Sequence, residues 1–350
     1  MRTYRNLYGF YCSEENIRLA IKKASVGKRD RKQARLYTEH VDEHIHEITE
    51  YAGAFYNEPH TPHRINERGR GKARDIVVPT FREQIIHHMV VNTLKPIMMK
   101  GMYEHSYGSI PCRGIHLAKK RIEKWLHKDF AGTKYFLKMD IRHFFASIPH
   151  DRLKELVHKH VIDKRFTDVV DTIIDVLPYG LPLGFYTSQW FANWYLQGLD
   201  HYIKEQLHAV HYVRYMDDMV VFGSNKRKLH RMVPAIRDYL AGLGLELKDD
   251  WIVARLVYER DGLEYGRFLD FMGFRFYRQR TVLRRSIMLR ATRLARHMNG
   301  LLLNARRMMS YLGWFTHSDT YNVFTSRVRP YVSIRRLRLQ IRRHDRRVAA

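Results

Sequence analysis

Apolar residues recur at three- and four-residue steps over FREQIIHHMVVNTLKPIM (81–98), which predicts a helix. YFLKMDI (135–141) is an almost continuous apolar run and predicts a buried strand. HYVRYMDDMVVFG (211–223) predicts two short β-branched and aromatic strands around a two-aspartate turn. Residues 14–56 read as polar helices with a basic connection from Lys28 to Arg35. The stretch EPHTPHRINERGRGKAR (58–74) reads as a loop, because its Pro, Asn and Gly break helices, and DIVVPT (75–80) as a short strand. RLKELVHKHV (152–161) predicts a helix with Asp151 as its cap. YTSQWFANWYLQGLDHYIKEQL (186–207) predicts one long helix after a Gly-Leu-Pro-Leu-Gly turn. A helix at 227–243, strand segments within 250–277 and arginine-rich helices over 285–345 complete the chain. Helices flank a central run of strands, an α+β pattern with an antiparallel sheet in the middle.

The 350 residues suffice for two domains or one large multi-lobed fold, and the 45% hydrophobic share excludes wholesale disorder. No apolar run approaches the roughly 18 residues that span a bilayer, so no membrane association is expected. The opening MRTYRNLYGFYC has no signal-peptide core. Cys12 and Cys112 are too few for a disulfide framework or a four-cysteine zinc site, so a reducing cytoplasmic location is expected. The net charge of +26 demands a polyanion, a membrane surface or acidic partners, and basic clusters mixed with aromatics stand in place of the long, clean apolar helix face that membrane binding would want. The tail RVRPYVSIRRLRLQIRRHDRR (327–347) holds nine arginines, a density that repels itself without a polyanion. Arg335, Arg336, Arg338, Arg342 and Arg343 are therefore expected to contact RNA or a hybrid duplex. His40, His44 and His46 in HVDEHIHE read as a polar helix face rather than a zinc site, and His87 and His88 as residues of the same kind.

Asp140 ends an apolar strand, and Asp217 and Asp218 sit at the tip of an apolar hairpin. A carboxylate in such a place is costly unless it is solvated, paired or bound to a cation, and two neighbouring acids repel each other. Hard divalent cations with oxygen ligands resolve the conflict. Carboxylates converging from two adjacent strands suit two magnesium ions roughly 4 Å apart, a clamp for in-line phosphoryl transfer. An aspartate pair in a hairpin is, by itself, more often a polar turn.

The surrounding motifs change that reading. Tyr215-Met216-Asp217-Asp218 resembles the catalytic hairpin of reverse transcriptases, and KMDIRHFFASI (138–148) resembles their first catalytic strand. GLPLGFYTSQWFANWYL (180–196) is similar to the loop and helix under the nascent base pair, and FLDFMGFRF (268–276) to the primer-grip hairpin, with Phe271, Met272 and Gly273 at its tip. Leu183-Gly184 and Ser188-Gln189 stand where retroviral enzymes carry Gln-Gly and Ser-Pro, and this resembles the reverse transcriptases of diversity-generating retroelements. SYGSIPCRGIH (106–116) is similar to bacterial members of that group, although Cys112 stands where a glycine is expected.

The resemblance implies a right-hand polymerase. Residues 1–134 would form the amino-terminal helices and fingers, and 135–277 the palm, with part of 153–180 belonging to the fingers. Residues 278–350 would form the thumb and arginine-rich tail. Asp140, Asp217 and Asp218, with the backbone carbonyl of Ile141, would hold two Mg²⁺ ions. Lys72 and Arg74, two residues apart on one face of a strand, would hold the incoming triphosphate, Arg82 reinforcing them. Phe145 would sit beneath the sugar and exclude a 2′-hydroxyl, whereas Phe144 reads as core. Gly184 would let backbone approach the substrate, beside Ser188 and Gln189. Lys248 would protonate the leaving pyrophosphate. Trp314 and Tyr311 read as thumb residues near the primer or as a plain helix contact. The implied partners are template RNA, the RNA/DNA hybrid, deoxynucleoside triphosphates and a small basic accessory variability protein, usually a pentamer. The implied output is error-prone cDNA, mutagenised at adenines, in mutagenic retrohoming.

Three alternatives stay open: a reverse transcriptase of another bacterial lineage (group II intron, retron or defence type), an RNA polymerase sharing the palm, and an RNA-binding protein with a relict palm. The ring at Phe145 argues for deoxynucleotides, and the intact aspartate set against a relict. Leucine at 183 cannot make the hydrogen bond of a glutamine, which loosens geometric discrimination against mispairs. Leu183→Gln is therefore expected to lower errors opposite template adenine by up to about tenfold, which needs only about 1.4 kcal/mol of differential transition-state binding. Sequencing of cDNA reads this out, and an unchanged adenine error spectrum counts against it.

Overall fold

The computed structural model describes residues 3–28, 31–67 and 72–349, and only the backbone of 66–67, 72–74 and 348–349. The amino-terminal part is helical: α1 (Leu7–Tyr11), α2 (Glu14–Ala24), α3 (Lys32–Glu39) and α4 (Val41–Gly53). The hairpin β1 (His63–Glu67) and β2 (Lys72–Ile76) leads to α5 (Phe81–Lys100), the two-residue β3 (Ser106–Tyr107), α6 (Ile115–Lys128) and β4 (Tyr135–Asp140). Next come α7 (Phe144–Ser147), α8 (His150–His160), α9 (Lys164–Ile174), α10 (Tyr186–Tyr195) and α11 (Gln197–His201), then a π-helical turn over Tyr202–Gln206. The strands β5 (His211–Tyr215) and β6 (Asp218–Gly223) precede α12 (Lys226–Gly242). Six short strands follow: β7 (Ile252–Arg255), β8 (Tyr258–Arg260), β9 (Leu263–Tyr265), β10 (Leu269–Phe271), β11 (Phe274–Phe276) and β12 (Thr281–Leu283). The helices α13 (Arg285–Arg296), α14 (Leu302–Thr316), α15 (Tyr321–Arg327) and α16 (Ile334–Ala349) close the chain. The fold class is α+β, as the hydrophobic pattern predicts.

The chain forms two compact units: Met1–Ile110, Asp140–His208 and Val233–Asp249 in the first, and Pro111–Met139, Ala209–Met232 and Asp250–Ala350 in the second. In the first unit α5 is buried along most of its length and takes polar Glu83, His87, Asn92 and Thr93 inside with its apolar residues. It starts with a reciprocal cap. Glu83 N donates to Thr80 Oγ1 (3.3 Å), and Thr80 N donates to Glu83 Oε2 (2.8 Å). The Glu83 carboxylate is fully buried and also meets Glu58 N (3.1 Å) and His60 Nε2 (2.9 Å). Buried Asn16 ties α2 to α5 by donating to Met89 O (3.2 Å) and accepting from Asn92 Nδ2 (2.9 Å).

In the second unit β5, β6, β4 and β7 lie side by side in that order. The β5–β6 and β4–β7 pairs are antiparallel. β10, β11 and β12 form a separate antiparallel meander, and α14 packs against α13 and α16. Both cysteines are free, and among the described residues no helix is long and apolar enough to cross a membrane.

Four expectations are corrected. The stretch 58–74 is not only loop: His63–Glu67 and Lys72–Ile76 pair as antiparallel strands, whose mostly polar residues leave no apolar alternation to read, and the strand expected over 75–80 ends at Ile76, with Thr80 already capping α5. Asp151 does not cap α8, because Pro149 takes that position and Asp151 falls in the first turn, where its charge meets the helix dipole. The segment 186–207 is two helices and a π-helical turn. Tyr239 stacks on Tyr202 (4.7 Å) in this stretch, and a Cβ at Gly198 would lie 2.6 Å from the Tyr239 hydroxyl; no local pattern encodes that contact. His87 and His88 are not on a polar face. His87 is fully buried with Nδ1 2.8 Å from Thr187 Oγ1, and the His88 ring stacks on Tyr186 at 4.1 Å.

Burial pushes the His87 pKa down to about 3 and the His88 pKa down to about 4, from 6.5. Both groups take up protons in the unfolded chain at a pH where the native chain leaves them neutral. The stability they permit is complete above about pH 6.5 and is lost as pH falls below it. Melting temperatures are therefore expected to drop from pH 7 to pH 4.5, with a shallower slope in His87→Gln. Equal slopes in the two proteins would show that His87 is not responsible.

Candidate active site

The strands β5 and β6 pair with Tyr215 opposite Asp218, which leaves Met216 and Asp217 as a two-residue turn. Met216 has φ 55°, the left-handed backbone that tight hairpins use. Arg214 lies fully buried beneath the turn and donates from Nη1 to Met216 O at 3.1 Å. A guanidinium in that position fixes the turn carbonyl and compensates acid at the hairpin tip.

β4 lies next to β6, and Lys138 on β4 reaches across. Its Nζ is 3.5 Å from Asp218 Oδ2 and donates to Asp270 O at 2.9 Å. Asp270 is itself held by Arg284 Nε at 2.6 Å. Thus one ammonium links the aspartate hairpin to the β10–β11 hairpin. Met272 and Gly273 turn that second hairpin with φ 50° and 86°. A Cβ on Gly273 would lie 2.9 Å from the Trp314 ring, and Trp314 also packs on Phe274 (5.1 Å). Trp314 therefore supports the hairpin that the sequence reading compared with a primer grip.

In the first unit, Asp140 is embraced by the segment 246–248. Lys248 Nζ is 2.8 Å from Asp140 Oδ2, and Lys248 N donates to Asp140 O at 2.9 Å. Arg142 N donates to Glu246 O, so Ile141 faces Leu247 as a non-hydrogen-bonded pair. The Ile141 carbonyl then points away from 246–248. Asp140 Oδ1 is buried and has no hydrogen-bond partner among the described residues. An orphaned carboxylate oxygen beside an outward carbonyl is a donor set that fits a hard cation. Among the described residues, however, no group of three or more His, Cys, Asp or Glu side chains is assembled as a ready-made metal site.

Phe145 is half-buried and tilts against the buried Phe144 at 5.5 Å, and its carbonyl accepts from Leu181 N at 2.7 Å. Leu183 O accepts from Val77 N at 2.8 Å, which ties the 180–185 loop to the residue just after β2. Gly184 has φ 117°, and a Cβ there would lie 2.1 Å from Val77 O, so the close approach seen at this glycine is to its own chain. Ser188 is buried, and Gln189 Oε1 accepts from Ser109 Oγ at 2.9 Å. β2 carries Lys72 opposite Glu67 and Arg74 opposite Ile65, and both side chains lie outside the described residues. Arg82 is engaged within its unit, 2.8 Å from Glu58 and 4.0 Å from the Tyr51 ring. Cys112 has φ 62°, a backbone that favours the glycine expected there. His40 and His46 are exposed and pair with Glu43 and Glu50, as a polar face would, whereas His44 turns inward, 2.8 Å from Glu47 and stacked on Tyr37 at 4.2 Å. The arginines 335, 336, 338, 342 and 343 are exposed on α16, whose Leu337 is buried.

Sequence reasoning missed Lys138 and Arg214. The signal was present: each is a cation inside an apolar strand, and Lys138 shares a face of β4 with Asp140.

A family model described as Reverse transcriptase (RNA-dependent DNA polymerase) matches residues 65–313, and the chain belongs to that family. The group II intron-encoded protein LtrA of Lactococcus lactis subsp. cremoris is 26% identical over 163 residues, 44% of this chain and 26% of that protein. A retron reverse transcriptase of Escherichia coli is 23% identical over 215 residues, 57% of this chain and 65% of that protein. The match therefore spans about a quarter of the first relative's length and about two thirds of the second's. Among solved structures, apo telomerase from Candida tropicalis is similar at 13% identity and a TM-score of 0.47, over 72% of this chain and 60% of that one.

Gly184→Ala adds a Cβ against Val77 O and places it in left-handed backbone. A cost of about 1–3 kcal/mol is expected from the strained backbone alone. It should appear as a lowered melting temperature; an unchanged one would mean that the 180–185 loop is not held as described.

Proposed function

We propose that this protein is an RNA-directed DNA polymerase, and that it serves a diversity-generating retroelement. The observation that carries the polymerase reading is the family match over residues 65–313, supported by acids at the end of one strand and at the turn before another. Asp140 closes β4, and Asp218 opens the neighbouring strand β6 just after Asp217 at the turn. The substrates are an RNA template, a primer 3′-end and deoxynucleoside triphosphates. Residues 1–134 act as fingers, 135–277 as palm and 278–350 as thumb and tail.

Asp140, Asp217, Asp218 and the Ile141 carbonyl would hold two Mg²⁺ ions. Bound there, the metals supply charge neutralisation at the triphosphate and a lowered pKa at the primer hydroxyl. The chain's own groups do the rest. Lys248 and Lys138 neutralise the carboxylates, and Lys248, on releasing Asp140, would give a proton to pyrophosphate. Phe145 packs under the sugar. Lys72 and Arg74 bind phosphate, and Arg82 would join them only by leaving Glu58. The hairpin tip Phe271-Met272-Gly273 holds the primer. Ser188 and Gln189 support the loop carrying Leu183 and Gly184 under the nascent pair.

The retroelement assignment is supported by Leu183-Gly184 and Ser188-Gln189. With it come an accessory variability protein as partner and adenine-directed errors. A second reading, an enzyme of group II intron or retron type, is favoured by the relatives matched above. Sequencing of cDNA made on cognate RNA separates the two: errors concentrated at adenines support the first, and an even error spectrum the second.

Asp217→Asn is expected to retain its melting temperature and RNA binding and to lose cDNA synthesis in a primer-extension assay. Extension at the unmodified protein's rate would remove Asp217 from the chemistry.

A further inference from the structure

A cavity of about 610 Å³ lies in the second unit, within the ~300–1,000 Å³ range of small-ligand clefts. Arg255 on its wall pairs with Tyr135, the first residue of β4. The cavity is thus at the opposite end of that strand from Asp140, about 17 Å away at ~3.3 Å per residue. No part of the proposed polymerase chemistry uses it.

Its chemistry is distinctive. The Arg255 guanidinium lies 3.4 Å from the centroid of the Tyr258 ring. Arg280 faces Tyr277 at 4.6 Å, and Arg278 faces Phe130 at 5.0 Å. Lys134 adds a fourth cation, against only Glu259 and Glu264 on the wall. Glu264 is already paired with Arg280 at 3.0 Å. Arg278 is fixed by bonds to Thr133 Oγ1 (2.6 Å), Thr133 O (3.1 Å) and Leu126 O (3.3 Å). Burial, and after it the neighbouring Arg255, lowers its pKa, and Asp129 opposes the shift. Phe130 is 57% exposed.

Excess positive charge calls for phosphate or carboxylate, whereas the exposed Phe130 ring, backed by Arg278, calls for a flat π-face; Tyr258 and Tyr277, which also meet Tyr265 (5.8 Å) and Phe268 (5.6 Å), flank it on the wall. Single-stranded nucleic acid satisfies both. An acidic peptide would pair with the cations and leave the rings unused. We propose that this cavity is a second nucleic-acid site that takes one or two unpaired nucleotides of single-stranded RNA, base against ring and phosphate against guanidinium. The proposal rests on the polymerase reading only for the choice of RNA over DNA.

The test uses the full chain and a 12-nucleotide single-stranded RNA carrying 5-iodouridine, photocrosslinked and mapped by mass spectrometry. Crosslinks are expected at Phe130, Tyr258 or Tyr277. Phe130→Ala should weaken binding of this RNA by about tenfold, the scale of one base–aromatic stack. Lys134→Gln with Arg255→Gln should make the slope of log K against log[salt] shallower by about 1.4, at ~0.7 per phosphate on a single strand. Circular dichroism melts establish that each variant is folded. Crosslinks confined to other segments, or an unchanged salt slope in the folded double variant, overturn the proposal. So does displacement of the RNA by polyglutamate with no crosslink to a ring, which would mark an acidic-peptide site. The same crosslinks in Asp217→Asn, which should make no cDNA, keep failure of this site distinct from failure of the polymerase reading.

Discussion

Carboxylates at the ends of apolar strands need positive charge nearby, and two lysines meet that need. Lys248 sits on Asp140 and Lys138 reaches Asp218, each pair only partly open to solvent. The arrangement balances the acids' charge with side chains that can move, since lysine is a point charge on a flexible stem. A divalent cation can then replace an ammonium without leaving a bare carboxylate behind. Asp140 already presents one oxygen with no hydrogen-bond partner among the described residues. Lys138 adds a second consequence, because its ammonium also holds Asp270 and so couples the aspartate hairpin to β10. In the proposed reading, metal binding and primer placement would be mechanically linked through that one side chain.

What could be read from the sequence follows from how local each signal is. The strand YFLKMD and the hairpin around Met216-Asp217 are dictated by short apolar runs and a two-residue turn, so both are where the pattern puts them. Thr80 and Glu83 at the head of α5 form a capping box whose spacing is plain in the sequence. The β1–β2 hairpin was invisible because its polar residues lack alternation. The break within 186–207 involves the ring of Tyr239, distant along the chain. Arg214 and Lys138 were passed over because a cation in an apolar strand reads as noise until its partner's position is known.

The net charge of +26 is not spread evenly in its meaning. Some cations have structural partners, such as Arg82 on Glu58 and Arg284 on Asp270. Others face solvent along α16 or crowd around rings near Arg255. The exposed arginines of α16 can bind a polyanion without giving up a structural partner, whereas Arg278 and Arg280 near Arg255 keep partners in Thr133 and Glu264.

The proposed reading has Asp140, Asp217 and Asp218 share divalent cations, with Lys248 released from Asp140 and Lys138 from Asp218. Crystals soaked in Mn²⁺ with primer, template and an incoming nucleotide test it most directly through anomalous scattering. The account predicts anomalous peaks within coordination distance of Asp140 and Asp217, with Lys248 withdrawn from Asp140. Well-ordered substrate with no such peaks, and Lys248 still on the Asp140 carboxylate, would contradict it.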